Sequence, residues 1–162
     1  MEKLTAEHIR AILHYDPETG VFTRLVRSGK HQAGVSVGCV NKVLGYVLMG
    51  VEKQRLYAHR LAWLYMTGEW PEAQIDHING DRADNRWTNL RSVTQAVNNQ
   101  NLRRVRVTSK TGVQGVRLRK GMFEARLGVN RKQCLLGRFF TADEAHQAYL
   151  TAKRALHVGC TI

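Results

Sequence analysis

The sequence predicts an α+β protein built from two parts in chain order. Residues 74–102 show the pattern of two strands around a polar turn, followed by a helix. Residues 116–138 alternate apolar and basic side chains with a period of two, which is typical of a small antiparallel sheet. A capped, alanine-rich helix follows that sheet. We therefore expect a β-β-α unit and then a three-stranded antiparallel sheet packed on one helix.

Length and composition allow one ordinary domain or two small ones. The chain has 162 residues, and a hydrophobic content of 43% is enough for a packed core. No apolar run approaches the roughly 20 residues that a membrane span needs. The first five residues lack the apolar core of a signal peptide. We therefore expect an intracellular protein without a membrane partner.

Positive charge is concentrated in the C-terminal part. The formal net charge is +12, which favours a polyanionic partner such as nucleic acid. Residues 1–100 hold 12 Lys and Arg against 10 Asp and Glu, whereas residues 101–162 hold 13 against 3. Residues 103–112 are predicted to be a basic linker between domains at 1–102 and 113–162. The basic part is expected to bind phosphate.

The N-terminal hundred residues contain short elements separated by turn signals. Thr5 is a good N-cap residue, and Asp16-Pro17-Glu18-Thr19-Gly20 favours a turn. His59 is either a hydrogen-bonded packing histidine or a contact to phosphate or DNA. The predicted elements are a helix at 5–13, strands at 21–26 and 43–51 around a loop at 27–38, and a helix at 57–66 that ends at Gly68.

The central β-β-α unit carries the candidate chemistry. Gln74 to Ile78 is predicted as the first strand, which contains Asp76 and His77, and a turn follows at Asn79-Gly80-Asp81. The second strand is expected at 90–93, and Thr94 is a good N-cap for the helix. A regular strand would direct Asp76 and His77 to opposite sides, so the strand must twist or the pair must flank the reacting atoms.

These residue types suit phosphodiester hydrolysis. The reaction needs a base for water and charge neutralisation at phosphorus and at the leaving oxygen. Histidine has an ordinary pKa near 6.5 and is a suitable base. A magnesium-type cation takes only one or two protein oxygens, which Asp76 and an asparagine carbonyl would supply. The alternative interpretation is a polar turn with capping asparagines.

Residues 15–101 resemble an HNH (ββα-metal) endonuclease of the phage and intron-homing type. The resemblance implies a ββα-metal nuclease core at about 74–102. Several blocks in matching order carry it, which makes it more specific than a lone Asp-His pair. The blocks are Tyr15 to Gly20, Ala58-His59-Arg60-Leu61-Ala62-Trp63, Ile75 to Asp81, Asp84-Asn85, Asn89-Leu90-Arg91 and Asn98 to Asn101.

The resemblance implies a role for each central residue. His77 is the general base that activates water, and Asp76 is a metal ligand. Asn89, twelve residues after His77, is the second catalytic residue, which braces the loop and orients His77. Asn98 replaces the final histidine of the name-giving motif as the second metal ligand.

The resemblance also implies the metal. An asparagine ligand favours a hard ion, Mg²⁺ or Mn²⁺, over Zn²⁺, with one ion in each active site. Asn99 and Asn101 are the alternatives to Asn98. Three further polar residues are expected to stabilise the loop rather than to bind metal, namely Asp81, Asp84 and Asn85.

The C-terminal sheet is the candidate DNA-binding surface. Its arginines either pair with guanine in the major groove, bind phosphates only, or form a solvated charged face. Glu124 either accepts from cytosine or holds an arginine by a salt bridge. Period-two spacing places Arg117, Arg119 and Arg126 on one face and Arg131, Lys132 and Arg138 near the edges, and the linker adds Arg103 and Arg104.

Residues 112–158 resemble the plant-type apetala/ethylene-response DNA-binding domain, which reads DNA with a three-stranded sheet backed by one helix. Phe123 stands where that family usually has tryptophan. The matching blocks are Gly115-Val116-Arg117-Leu118-Arg119, Phe123-Glu124-Ala125-Arg126, Leu136-Gly137-Arg138-Phe139, and Thr141 to Ala145 with Ala148-Tyr149.

The two resemblances together imply a metal-dependent endonuclease of the phage or homing type. It would cut or nick double-stranded DNA and leave 5′-phosphate and 3′-hydroxyl ends. We expect a monomer in the cytoplasm of a bacterial host. The alternative function is a non-catalytic DNA-binding regulator with a relict nuclease fold. An RNA-directed function comes third, because aromatic content is only 7% and forms no stacking pattern.

Overall fold

The computed structural model describes residues 4–102, 105, 109–130 and 132–161. The chain divides into two compact units, Met1–Gln95 and Ala96–Ile162. Helices and small antiparallel sheets are mixed along the chain, which confirms the α+β class. In the described part, no helix is long and apolar enough to cross a membrane. The predicted DNA contacts Arg103, Arg104 and Arg131 lie outside the described residues.

The N-terminal unit combines two helices with three small antiparallel sheets. The strand orders are β1-β2-β3, β4-β5-β6 and β7-β8. A short 3-10 helix, Trp87–Asn89, precedes β8. The elements are α1 (Ala6–Ile12), β1 (Leu13–Asp16), β2 (Val21–Arg24), β3 (Ser36–Val37), β4 (Cys39–Val40), β5 (Val47–Val51), β6 (Gln54–Tyr57), α2 (Ala58–Thr67), β7 (Gln74–His77) and β8 (Leu90–Val93).

Local sequence signals explain the helix ends of this unit. The Thr5 hydroxyl accepts a hydrogen bond from the His8 backbone N–H at 3.2 Å, as its N-cap pattern predicts. Helix α2 ends at Gly68, whose φ of 88° is left-handed. One apolar core joins the helices to the sheets. Its most deeply buried large side chains are Ile9, Leu13, Tyr15, Phe22, Met49, Leu61 and Leu64.

The strands of this unit differ in extent from the predicted ones. The predicted loop at 27–38 contains the short strand β3, which pairs with β2. The strand predicted at 43–51 begins only at Val47, because the Asn41 side chain closes a turn before it. Asn41 Oδ1 accepts from the backbone N–H groups of Val43 at 3.0 Å and Leu44 at 2.8 Å.

The C-terminal unit is a three-stranded sheet backed by one long helix. The strand order is β11-β10-β9, and both pairings are antiparallel. Val116, Ala125 and Leu127 of the sheet bury their side chains with Ala145 and Tyr149 of the helix. The elements are α3 (Gln95–Gln100), β9 (Val116–Arg119), β10 (Met122–Val129), β11 (Lys132–Phe139) and α4 (Ala142–Leu156).

Helix α4 begins at the N-cap Thr141 and ends at the C-cap His157. Thr141 and Glu144 form both hydrogen bonds of a capping box. Gly159, a residue type that often ends helices, lies beyond the C-cap His157. A Cβ at Gly159 would lie 2.3 Å from the Val97 carbonyl oxygen. Close packing of the C-terminus on α3 therefore requires this glycine.

The division between the units falls before the predicted linker. The Gly159 N–H donates to Gln100 Oε1 at 2.9 Å, and the Thr161 hydroxyl donates to Asn101 Oδ1 at 2.5 Å. These contacts join most of α3 to the C-terminal unit. The sequence pattern predicts α3 as part of the nuclease domain, and contacts between this helix and residues sixty positions later leave no local signal in the sequence.

Candidate active site and candidate nucleic-acid interface

The β7–β8 hairpin carries the central pair. Its register places Asp76 opposite Arg91 and His77 opposite Leu90. Asp76 is 7% exposed and His77 is 3% exposed. Ile75 and Leu90 anchor the hairpin in the apolar core. The hairpin therefore carries a carboxylate and an imidazole at adjacent positions of one strand, and both are largely buried.

The Asp76 carboxylate is paired with an arginine. Arg91 donates to Asp76 Oδ2 from Nε at 3.0 Å and from Nη2 at 2.8 Å. Antiparallel partners of opposite charge are favourable neighbours, which explains the pair from its register. Arg91 belongs to the Asn89-Leu90-Arg91 block, but the sequence pattern does not predict its ion pair with Asp76. Its charge fixes the orientation of this carboxylate.

His77 is surrounded by a side-chain amide and two rings. Its Nε2 lies 3.3 Å from Asn85 Oδ1. The His59 ring lies edge-on at 5.1 Å between centroids, and the Tyr46 ring is 5.9 Å away. Burial lowers the pKa of His77, and the Asn85 hydrogen bond and nearby carboxylates offset this only in part. The imidazole is therefore neutral at pH 7 and able to accept a proton.

Asn89 closes the loop between the two strands. Its Oδ1 accepts from the Asn79 backbone N–H at 2.9 Å, and its Nδ2 donates to the Asp84 carbonyl at 2.7 Å. These bonds fit the loop-bracing part of its predicted role. The side chain that contacts His77 is Asn85 instead, which sequence reasoning had placed among the loop stabilisers.

The other loop residues hold the loop itself. Asp84 accepts from Arg86 Nε at 2.8 Å and from Asn79 Nδ2 at 2.7 Å. The Arg86 hydrogen bond lowers the pKa of Asp84 to about 2. Asp81 Oδ1 accepts from the Ala83 backbone N–H at 2.9 Å. These contacts fit the predicted stabilising function of the loop carboxylates.

His59 is a packing residue next to His77. It is 6% exposed, and its ring lies 5.0 Å from the Tyr46 ring and 5.4 Å from the Tyr57 ring. Among the described residues, its Nδ1 has no hydrogen-bond partner. Burial, with a smaller effect of His77, lowers the pKa of His59 to about 3. The burial of His59 fits a packing histidine better than a contact to phosphate. The hydrogen bond expected of a packing histidine is not made by Nδ1 within the described residues.

The protonation of His59 predicts an acid-sensitive fold. The unfolded chain binds this proton near pH 6.5, whereas the folded protein binds it only near pH 3. The free energy of unfolding is therefore expected to fall as pH drops below about 6.5, by up to about 1.4 kcal/mol for each pH unit. Urea unfolding of wild type and His59→Phe between pH 7 and pH 4 checks this.

The His59→Phe variant should show a flatter loss of stability than wild type over that interval. Other groups also titrate there, so the difference between the two proteins is the informative quantity. The exposed His31 gives a matched control, and His31→Gln should follow the wild-type curve. Parallel losses in wild type and His59→Phe would contradict the assignment.

The three candidate asparagines for the second metal ligand lie in the C-terminal unit. Asn98 is half-buried on α3 and Asn99 is exposed. Asn101 is 5% exposed, and its Oδ1 accepts from the Thr161 hydroxyl at 2.5 Å. That bond engages the amide oxygen of Asn101 that a metal would need. Asp76 belongs to the other unit.

The available donor chemistry fits an oxygen-preferring cation. No group of three or more His, Cys, Asp or Glu side chains able to hold a metal occurs within the described residues. Mg²⁺ needs only one or two protein oxygens, and the Asp76 carboxylate is a ligand of that kind.

The outer face of the C-terminal sheet is basic around one buried acid. Glu124 is 1% exposed and accepts from the Nε atoms of Arg126 and Arg138, each at 3.2 Å. Burial raises the pKa of Glu124, but Arg138, Arg126 and Arg119 outweigh burial and lower it. Glu124 therefore stays ionised and leaves the terminal amino groups of both arginines to other partners.

Two of the predicted DNA contacts, Arg117 and Lys132, lie on opposite sides of this sheet. Arg117 lies opposite Glu124 on the basic face. Lys132 is exposed at the start of β11, and the register places it opposite Val129. Val129 packs against the apolar cluster under α4, so Lys132 lies on the other side of the sheet from the arginines. The structure thus groups Arg117, Arg119, Arg126 and Arg138 but not Lys132.

Comparison with known proteins shows which family the central segment is similar to. The HNH endonuclease family profile matches residues 56–100, from β6 to α3. This segment contains Asp76, His77, Asn89 and Asn98. The matched segment is therefore similar to the HNH endonuclease family, and the match ends before the C-terminal sheet.

One solved structure is similar to part of the chain. It is described as "DNA binding and cleavage by the HNH homing endonuclease I-HmuI". The likeness has a TM-score of 0.46 and 24% sequence identity, and it covers 62% of this chain. This chain spans 57% of that solved chain. No curated protein matches the sequence.

Proposed function

We propose that this protein is a metal-dependent endonuclease that hydrolyses phosphodiester bonds in double-stranded DNA. One observation carries the proposal: a buried, neutral His77 ends β7 beside the Asp76 carboxylate, inside the segment that matches the HNH endonuclease family. A neutral imidazole accepts a proton at pH 7, which is the property that a general base needs.

Each residue of the site has a proposed task. His77 takes the proton of the attacking water, and Asn89 keeps the loop around it closed. Asp76 and Asn98 hold Mg²⁺ or Mn²⁺, one ion in each site. The ion would supply charge neutralisation at the phosphate and stabilise the leaving oxygen.

The C-terminal sheet is proposed to hold the DNA. Its outer face presents Arg117, Arg119, Arg126 and Arg138, and residues 101–162 hold 13 basic against 3 acidic side chains. A strand face of this size fits the major groove. We propose an apetala-type DNA-binding domain at 113–162 after a basic linker at 103–112. Further phosphate contacts are proposed for Arg103, Arg104 and Arg131. Lys132 is proposed as a contact at the edge of the sheet.

The broader setting follows from these proposals. A domain of this kind joined to a basic sheet is proposed to be a phage or homing nuclease in the cytoplasm of a bacterial host. A monomer contains one active site, so the expected primary product is a nick in one strand. The ends are proposed to be 5′-phosphate and 3′-hydroxyl.

A plasmid assay tests the reaction and its ends together. Supercoiled DNA incubated with the protein and Mg²⁺ should become nicked circles. DNA ligase alone should then reseal the nicks, because ligase requires the proposed end groups. Nicks that ligase cannot seal would contradict the proposed ends, and intact plasmid would contradict the activity.

A non-catalytic DNA-binding regulator is the second candidate. The observation in its favour is that Arg91 engages the Asp76 oxygen Oδ2, which competes with a metal for this carboxylate. The retained His77, Asn89 and Asn98 favour the nuclease. A regulator would bind DNA in gel-shift experiments and leave supercoiled plasmid intact with Mg²⁺.

A further inference from the structure

The amide of Asn85 fixes which nitrogen of His77 carries the proton. Asn85 Nδ2 donates to the Ala83 carbonyl at 3.0 Å, so its oxygen is the atom that faces His77 Nε2. An amide oxygen only accepts, so a hydrogen bond between these two atoms requires a hydrogen on His77 Nε2. The acceptor nitrogen of this tautomer is Nδ1.

Asn85 is itself held from the N-terminal hairpin. Asn85 is 2% exposed, and its backbone oxygen accepts a hydrogen bond from the Tyr15 hydroxyl at 2.6 Å. Burial, helped by Asp16 and Asp84, raises the pKa of Tyr15, so the hydroxyl remains protonated and donates. The Tyr15 ring is fixed by Phe22 at 4.7 Å and Tyr65 at 5.7 Å between centroids.

The turn between β1 and β2 lies directly against the same backbone. Gly20 has a φ of 72°, and a Cβ there would lie 2.4 Å from the Asn85 carbonyl carbon and 2.5 Å from the Arg86 nitrogen. The Trp87 N–H donates to the Pro17 carbonyl at 2.9 Å. Hairpin and loop thus meet at three successive residues of the loop.

We propose that Asn85 is the positioning residue of His77, and that the β1–β2 hairpin holds Asn85 in place through Tyr15 and Gly20. The inference rests on the proposed function for its kinetic readout. It assigns a task to the Tyr15–Gly20 block, which the catalytic chemistry does not use directly. The hairpin acts at a distance by fixing the backbone from which the amide reaches the imidazole.

Three variants and one control separate this role from general loop stability. Asn85→Ala should lower the single-turnover cleavage rate about 10- to 100-fold, as small displacements of a reacting group do. Asn85→Asp keeps an acceptor for His77 and loses the donor to Ala83, so it should cleave faster than Asn85→Ala. Tyr15→Phe removes one hydroxyl and should slow cleavage by about threefold to tenfold.

The matched control is Tyr65→Phe in the same aromatic cluster. No hydrogen bond from its hydroxyl occurs in the described part of the chain, and this variant should cleave at the wild-type rate. All four variants should bind DNA within about twofold of wild type, because the proposed effect is on the rate and not on binding. Thermal unfolding midpoints verify that each variant is folded.

Three results would overturn the proposal. Wild-type rates in both Asn85→Ala and Tyr15→Phe would remove the positioning role. Equal rates in Asn85→Asp and Asn85→Ala would show that Asn85 acts through Ala83 and the loop, not through His77. Slower cleavage with weaker DNA binding in the same proportion would likewise indicate a change of binding only.

Nitrogen NMR of the His77 ring tests the proposal without cleavage. In ¹⁵N-labelled wild type at pH 7.5, the His77 resonances should report the hydrogen on Nε2, and Asn85→Ala should shift them. A hydrogen on Nδ1 in wild type, or identical spectra, would overturn the proposal. If wild type fails to nick DNA, the nuclease proposal fails and this spectrum still decides the role of Asn85.

Discussion

Replacing His77 with alanine is expected to lower the rate of DNA cleavage by about 100- to 10,000-fold while DNA binding persists. Burial lowers the pKa of His77, so the imidazole is neutral at pH 7 and can accept the proton of water. Binding is proposed to depend on the C-terminal sheet, which this substitution does not touch. Single-turnover cleavage and gel-shift titrations measure the two quantities.

Two further variants control this experiment. His77→Gln keeps more of the buried volume than alanine and should be as inactive, which separates lost chemistry from a packing defect. The exposed His14 lies in β1 of the same unit, and His14→Ala should retain wild-type cleavage. Retained Mg²⁺-dependent cleavage by folded His77→Ala would refute the assignment of the base.

Removing two arginines from β9 is expected to weaken DNA binding by about 10- to 100-fold at physiological salt. Arg117 and Arg119 are exposed on the basic face, so the Arg117→Ala/Arg119→Ala protein should fold normally. The slope of log affinity against log salt should fall by about two if both contact phosphate. Fluorescence anisotropy over a salt series measures both effects.

The comparison variant is Arg154→Ala on the exposed side of α4, which removes one positive charge away from the sheet. It should bind DNA nearly as wild type does. An equal loss of affinity per removed charge in Arg154→Ala and in the Arg117→Ala/Arg119→Ala protein would show that the sheet contributes only net charge. Unchanged DNA binding by the double variant would show that the basic face of the sheet is a solvated charged surface and does not contact DNA.

Local patterns predicted the elements, because their causes lie within a few residues. The capping box at Thr141 and Glu144 depends on a spacing of three. Alternation along β10 identified which side chains pack under α4, since successive residues of a strand face opposite sides. The same rule separated Asp76 from His77, and the structure pairs Asp76 with Arg91 and His77 with Asn85.

The contacts that complete the candidate site could not be predicted in this way. Which loop asparagine reaches His77 depends on the path of the loop backbone, and several asparagines have the same local pattern. Asn85 makes the contact, and Asn89 closes the loop. The approach of Gly20 to Asn85 joins positions 65 residues apart, and no periodicity reports such a contact.

The most direct test of a metal-dependent DNA endonuclease is the fate of supercoiled plasmid with and without a free divalent ion. The wild-type protein is predicted to nick the plasmid in Mg²⁺, to stop when EDTA is added, and to resume when excess Mg²⁺ is restored. DNA binding should be measurable in all three conditions. Plasmid that stays supercoiled in both Mg²⁺ and Mn²⁺ while the folded protein binds it would contradict the account.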